Sequence, residues 1–242
     1  MPKFVELLVY LSATPLFGLT ATLATYMLAH AAYLRLKQAP WANPVLLSVV
    51  VIAAVLLATG VPYPIYFSGA QFIHFLLGPA VVALGWPLWQ RRLELQKRWG
   101  RLLVASLAGG TAASGSALLL AWALDLPTDV MLSLAPKSVT APVAMGIAEK
   151  IGGIPALAAV FAVLTGLVGA LSGRYLFNAL RLPFSVAGWT ARGFALGTAA
   201  HGIGAARALQ VNADAGAYAG LALGLQVVLS SLLMPLLFRL FA

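Results

Sequence analysis

The run IPALAAVFAVLTGLVGALSGRYLF, from Ile154 to Phe177, carries one charged residue, Arg174. A helix needs about 20 predominantly apolar residues to cross the hydrocarbon core of a bilayer, so this run reads as a membrane span. Working outward, similar runs extend from Phe4 to Tyr33, Pro44 to Thr59, Gly69 to Trp89, Leu102 to Leu124 and Gly216 to Leu240. The chain therefore reads as an all-α polytopic membrane protein, one integral membrane domain over residues 1–242. Of its 242 residues, 62% are hydrophobic and 9% charged, where soluble chains carry roughly 25% charge. So few charges cannot cover a water-facing surface. The same shortage excludes a disordered chain, and a nucleic-acid partner is not expected. No segment alternates as an outer-membrane strand does, which argues against a barrel.

Two stretches break the pattern. Thr128 to Lys150 is interrupted by Pro136, Lys137, Pro142 and Glu149, and Trp189 to Leu209 contains Arg192, His201, Arg207 and four glycines. The net charge of +9 is read as topology, because the basic residues sit between apolar runs. Arg35 and Lys37 follow the first run, and Arg91, Arg92, Lys97, Arg98 and Arg101 follow the third. Placing both loops in the cytoplasm leaves the N-terminus outside. With Thr128 to Lys150 re-entrant or broken, Arg174, Arg181, Arg192 and the tail also fall inside. The expectation is seven spans plus one broken segment, with the C-terminus cytoplasmic. Ala29-His30-Ala31 has the spacing of a signal-peptide cleavage site, but the apolar run before it is longer than a signal-peptide core, so the segment reads as a span.

A faint internal echo is present. Leu77-Gly78-Pro79-Ala80-Val81-Val82 and Leu134-Ala135-Pro136-Lys137-Ser138-Val139 each set a proline in an apolar segment ahead of a glycine-bearing span. The repeat halves would cover about residues 60–124 and 125–180, in opposite orientation. Inverted repeats with interrupted helices near the midplane are a recurring transporter plan; resemblance between Gly/Ala-rich helices by chance is the alternative.

Candidate chemistry concentrates in Ser133-Leu-Ala-Pro136-Lys137-Ser138-Val139-Thr140-Ala141-Pro142. Pro136 and Pro142 free backbone groups beside Lys137, Ser138 and Thr140. Half-helix N-termini offer unpaired N–H groups and partial positive charge, and a lysine adds a full one. A small carboxylate is the natural guest. The plainer alternative is a kinked helix whose Lys137 snorkels or pairs with Asp129 or Glu149. In the second irregular stretch, Gly197-Thr198-Ala-Ala-His201-Gly202-Ile-Gly204 offers close helix packing, with Thr198 as a further substrate contact and His201 as a proton relay or a packing histidine. Arg192 and Arg207 are expected at opposite ends of this helix, ~22 Å apart. Gly78 and Pro79 would open the second broken helix, with Gln71 and His74 as its polar wall. Without cysteine, and with three scattered histidines, no metal or cofactor is expected.

Val61-Pro62-Tyr63, Leu77-Gly78-Pro79-Ala80, Pro136-Lys137-Ser138-Val139-Thr140-Ala141-Pro142, Gly152-Gly153-Ile154-Pro155, Ala191-Arg192-Gly193 and Gly197-Thr198-Ala-Ala-His201-Gly-Ile-Gly204 together resemble the LrgB/CidB family over about residues 40–242. The resemblance implies an antiholin-like protein linked to murein hydrolase export and cell lysis, beside a small LrgA/CidA-type membrane partner. It equally implies kinship with plastid carriers of glycolate and glycerate and with bacterial pairs associated with pyruvate uptake. The chain departs from the family's pattern at Asn212-Ala213-Asp214, where a glutamate is common, and at Ala141, where a second threonine is more usual.

The expected function is a transporter or facilitator of small monocarboxylates in a bacterial inner membrane, with a holin-like oligomeric pore or regulator of murein hydrolase export as the alternative. No arrangement of nucleophile and base suggests an enzyme. Small-residue helix faces suggest a homodimer or higher homo-oligomer.

Overall fold

The structure, a computed structural model, describes residues 16–36, 39–76, 79, 85–90 and 92–241. Its described regular elements are helical. The chain divides into two compact units, Met1–Ala80 and Val81–Ala242.

The first unit contains α1 (Leu16–Arg35), a short 3-10 turn (Pro40–Ala42), α2 (Pro44–Thr59) and α3 (Tyr63–Phe75), with α1 packed on both α2 and α3. The start of the first expected span, before Leu16, lies outside the described residues. α2 begins where Asn43 Oδ1 accepts the N–H groups of Val45 and Leu46 at 2.9 and 3.3 Å, satisfying donors that have no partner within the first turn. It ends at Gly60, whose φ of 68° is the left-handed conformation that glycine adopts without a Cβ clash. α1 and α3 meet at Gly18, where an added Cβ would stand 2.8 Å from the Ala70 nitrogen. One turn on, Thr22 Oγ1 bonds to the Tyr66 hydroxyl at 2.7 Å.

The second unit contains α4 (Gly85–Gln90), α5 (Arg92–Ala123), α6 (Thr128–Leu134), α7 (Ala141–Ile151), α8 (Pro155–Ala179), α9 (Val186–Val211) and α10 (Ala213–Phe241). Among the described residues, Gln96–Ala123, Pro155–Ala179 and Ala213–Arg239 are long and apolar enough to cross a bilayer, and Pro44–Thr59 is a shorter apolar helix. Their outward faces carry Val104, Leu119, Val160, Leu164, Leu232 and Leu236, all largely exposed. Such a surface is matched to lipid tails.

α8 serves as a ruler for this unit. Near its N-terminal end it packs Ala158 and Ala162 against Ala144 and Ala148 of α7, in a cluster that also takes in Val139. Further along, Gly166 leaves room for the His201 imidazole, Gly169 for Ala200 and Gly173 for Leu196, and Phe177 lies under the Arg192 guanidinium. The first limb of α9 therefore runs antiparallel to α8.

At Ala200 and His201 the backbone leaves the helical region, with φ of −121° and 40°. An added Cβ on Gly204 would stand 2.8 Å from the Leu196 carbonyl oxygen, although eight residues of straight helix span ~12 Å. Trp189, Leu196, Ala205, Ala208, Ala215 and Ala219 share one cluster. The segment expected to cross as one helix is thus a helical hairpin with His201 at its tip. Arg192 and Arg207, expected at opposite ends, line the same cavity. Glycine is required here because α10 follows closely: Gly193 and Gly197 would each aim a Cβ at a backbone carbonyl, those of Ala215 and Ala219, with the carbonyl carbons 2.6 and 2.8 Å away.

α10 runs parallel to the first limb of α9, and also to α5. Glu94 and Arg98 meet Tyr218, Leu102 meets Leu221 and Leu225, and Gly110 meets Gln226. The basic start of α5 and the end of α10 therefore lie at opposite ends of the unit.

The other break is the one expected at the prolines. Between Ser133 and Ile154 the chain folds back a second time, with residues 135–140 leading in and α7 returning. The base of this fold-back is held by Ser133, whose Oγ donates to the Asp129 carbonyl at 2.6 Å and accepts the Ile154 N–H at 2.7 Å. Ser133→Ala leaves that N–H without its acceptor and should lower unfolding stability by about 1–3 kcal/mol, read as a lower melting temperature in detergent. An unchanged melt would show that water replaces the hydroxyl.

Candidate functional site

The two hairpins enter the second unit from opposite ends of α8 and their tips meet on the same helix. Val139, at the tip of the first, belongs to the buried cluster that includes Ala162. His201, at the tip of the second, bonds through Nε2 to the Ala162 carbonyl at 2.7 Å. Ala162 is thus common to both. The first tip is fastened to α5 by Ser114, whose Oγ donates to the Ala135 carbonyl at 2.8 Å, and Pro136 is fully buried there.

What the tips present is a set of buried polar atoms without partners. Among the described residues, Ser138 Oγ, Thr140 Oγ1 and Thr198 Oγ1 find no hydrogen-bond partner, and neither do Ser106 Oγ on α5 and Gln226 Oε1 on α10. Buried polar groups are nearly always paired, and an unpaired one costs about 1–3 kcal/mol. Thr140 is the N-cap of α7, yet its side chain makes no capping bond, and half-buried Pro142 follows at the start of that helix. A threonine in this place ordinarily satisfies a first-turn N–H; here its hydroxyl is left for something else.

Glycines on α5 let Thr198 and Gln226 approach that helix. An added Cβ on Gly109 would stand 2.8 Å from Thr198 Cγ2, and one on Gly110 would collide with the Gln226 amide. A cavity of about 440 Å³ lies between α5 and α10 at the level of the first tip, with Ser106, Gly110, Ser114, Ala135 and Gln226 in its wall. A second, of about 550 Å³, runs from Arg98 and Arg101 to Thr198.

Lys137 is turned elsewhere. It is half-buried, and it lines a cavity of about 310 Å³ with Leu134, Ser116, Leu120 and Leu124. Among the described residues its ammonium has no ion-pair or hydrogen-bond partner, so the alternative pairing with Asp129 or Glu149 is not formed. Gly78 lies outside the described residues, and Pro79 is an exposed helical position of the first unit.

Sequence reasoning missed Ser106 and Gln226. The signal for Gln226 was present, since it is the lone amide in the apolar run from Gly216 to Leu240, and a polar side chain at that depth faces protein or a cavity. Ser106 had no such signal, because hydroxyls are common in membrane helices and often bond back to their own backbone. Ser48, Ser133 and Ser172 do so here.

No solved structure matches the chain. It is 35% identical to the uncharacterized protein YxaC of Bacillus subtilis over 91% of this chain and 94% of that one. It is 33% identical to an uncharacterized protein of Haemophilus influenzae over 82% and 84% of the two. It is 31% identical to the holin-like protein CidB of Staphylococcus aureus over 86% and 90%. The LrgB-like family matches residues 22–240, so the chain is a membrane protein belonging to the LrgB-like family.

Proposed function

We propose that the chain is a transporter or facilitator of small monocarboxylates of the pyruvate, glycolate and glycerate class, acting in a bacterial inner membrane. The observation that carries this reading is that two chain reversals pack on α8, Val139 of one in the Ala162 cluster and His201 of the other bonded to the Ala162 carbonyl, with the hydroxyls of Ser138, Thr140 and Thr198 buried and unpartnered. Interrupted helices meeting within a bundle supply the donors that a carboxylate needs when it leaves water. Ser138 and Thr140 contact the anion from one tip, with Pro136 and Pro142 shaping the turn that holds them. Thr198 contacts it from the other, where His201 relays a proton or fixes the tip. Gln226 and Ser106 complete the wall.

Access is supported from both ends. Arg98 and Arg101 line the cavity that reaches Thr198, and Lys137 lines the one on the far side of the first tip. Cations at the mouths raise the local concentration of an anionic substrate. In the reading proposed here both hairpins are re-entrant and the arginine-rich end is cytoplasmic by the positive-inside rule. The end of α10 is then outside. The part of the site assigned in the sequence to Gly78 and Pro79, a homodimeric or larger assembly, and a small LrgA/CidA-like membrane partner remain parts of the proposal.

A second reading is favoured by the name of one relative. CidB is called holin-like, and a holin-like pore or regulator of murein hydrolase export would use the same glycines for assembly. Proteoliposomes holding the purified chain separate the two. Saturable uptake of radiolabelled pyruvate, glycolate or glycerate, reduced roughly tenfold in Lys137→Ala by loss of the cation that concentrates the anion at that mouth, is the expected result. Leakage of an unrelated dye of similar size, without saturation and unaltered in Lys137→Ala, would replace the carrier with the pore.

A further inference from the structure

We propose that the cavity of about 300 Å³ between α8 and the two limbs of α9 binds a phosphoryl-bearing anion, at a place separate from the hairpin tips. Its wall includes Arg174, Asn178, Arg192 and Arg207, with Phe184 and Trp189. Arg192 is only 4% exposed. Its guanidinium donates to Asn178 Oδ1 at 3.2 Å and to the Leu182 carbonyl at 2.5 Å, and it lies 4.5 Å from the Phe184 ring centre and 5.3 Å from that of Trp189. Every one of those partners is neutral. Nε is buried and has no partner among the described residues.

A buried cation that meets only neutral acceptors is an uncompensated charge, and such charges are expensive to hold away from water. No aspartate or glutamate is among the residues lining this cavity. Instead two more arginines reach it. Arg174 comes from α8, and Arg207 is brought to Arg192 only because α9 folds back at His201. A lone carboxylate brings one charge and two acceptor oxygens to a wall that holds both Arg192 and Arg174. A phosphoryl group presents several acceptor oxygens and up to about two charges, and the guanidinium fork matches its geometry. The shared chemistry has two sources, free phosphate or an anionic phospholipid headgroup reaching in from the membrane surface.

The test uses the full chain in detergent. Inorganic phosphate is titrated by calorimetry, and retention of phosphatidylglycerol against phosphatidylcholine is followed by native mass spectrometry. Saturable binding of phosphate identifies the free anion as the ligand, and selective retention of phosphatidylglycerol identifies the headgroup. Either should weaken roughly tenfold in Arg174→Gln, through loss of one charge-assisted contact. Arg174 is exposed, so this variant is expected to fold, checked by its melting temperature without ligand. Binding should be unchanged when Ser138 and Thr140 are altered, which separates this site from the one at the tips. Failure of wild type to bind either probe, or binding of full strength in both Arg174→Gln and the Arg174→Gln/Arg207→Gln pair, would overturn the proposal.

Discussion

Gly193→Ala is expected to destabilise the protein by about 3 kcal/mol or more, seen as a large fall in melting temperature in detergent and poor accumulation in the membrane. The added methyl would be driven into the Ala215 backbone, whose carbonyl carbon and Cα are each 2.6 Å from the place the Cβ would take. Backbone cannot turn aside as a side chain does. Relief would require α10 to move away from α9, and the same contact recurs one turn later at Gly197 and Ala219. Close backbone approach through small residues gives helices in lipid the van der Waals packing that helps hold them together, where no hydrophobic driving force separates one apolar face from another. Gly146→Ala is the control. It lies within α7 with open space where its Cβ would go, so the same substitution should be neutral or stabilising by up to about 1 kcal/mol. Equal melting temperatures for the two variants would contradict the close approach of α9 and α10.

Ser138→Ala combined with Thr140→Val is expected to lower carboxylate uptake about 100-fold while leaving the melting temperature equal or slightly raised. Each hydroxyl proposed to contact the anion would contribute a charge-assisted hydrogen bond of about 1.5–3 kcal/mol, and two at the lower bound amount to roughly two orders of magnitude. Opposite movement of function and stability makes this result diagnostic. Both hydroxyl oxygens are buried and unpartnered, and removing such groups at nearly constant shape relieves a desolvation penalty. Were they structural hydrogen-bonding groups, stability would fall. Were they idle, uptake would persist. A drop in stability with undiminished uptake would exclude them from the site.

Much of the molecule was legible in the order of its residues. Bilayer thickness converts directly into the length of an apolar run, so α5, α8 and α10 could be read as spans from Leu102–Leu124, Ile154–Phe177 and Gly216–Leu240. The break at residues 135–140 was equally legible, because Pro136 and Pro142 remove backbone donors where they stand. These signals are local: a run is long enough or it is not, and a proline acts on its own turn. The candidate hydroxyls were nominated for the same reason, lying beside that break.

The tertiary structure decided what sequence periodicity could not. The fold-back at His201 has no proline to announce it. A φ of 40° at a histidine is held by the bond to the Ala162 carbonyl and by the room that Gly166 leaves for the ring, both on another helix. That one turn puts Arg207 in the wall of the cavity that Arg192 lines and sets the direction of α10. Which way Lys137 turns, and that Ser106 and Gln226 lie level with the hairpin tips, followed only from packing. In a soluble protein the polar face of a helix says which way it points. In lipid the inside and the outside of a bundle are both apolar, so a membrane sequence tells how deep a residue lies and leaves to the assembled helices what it faces.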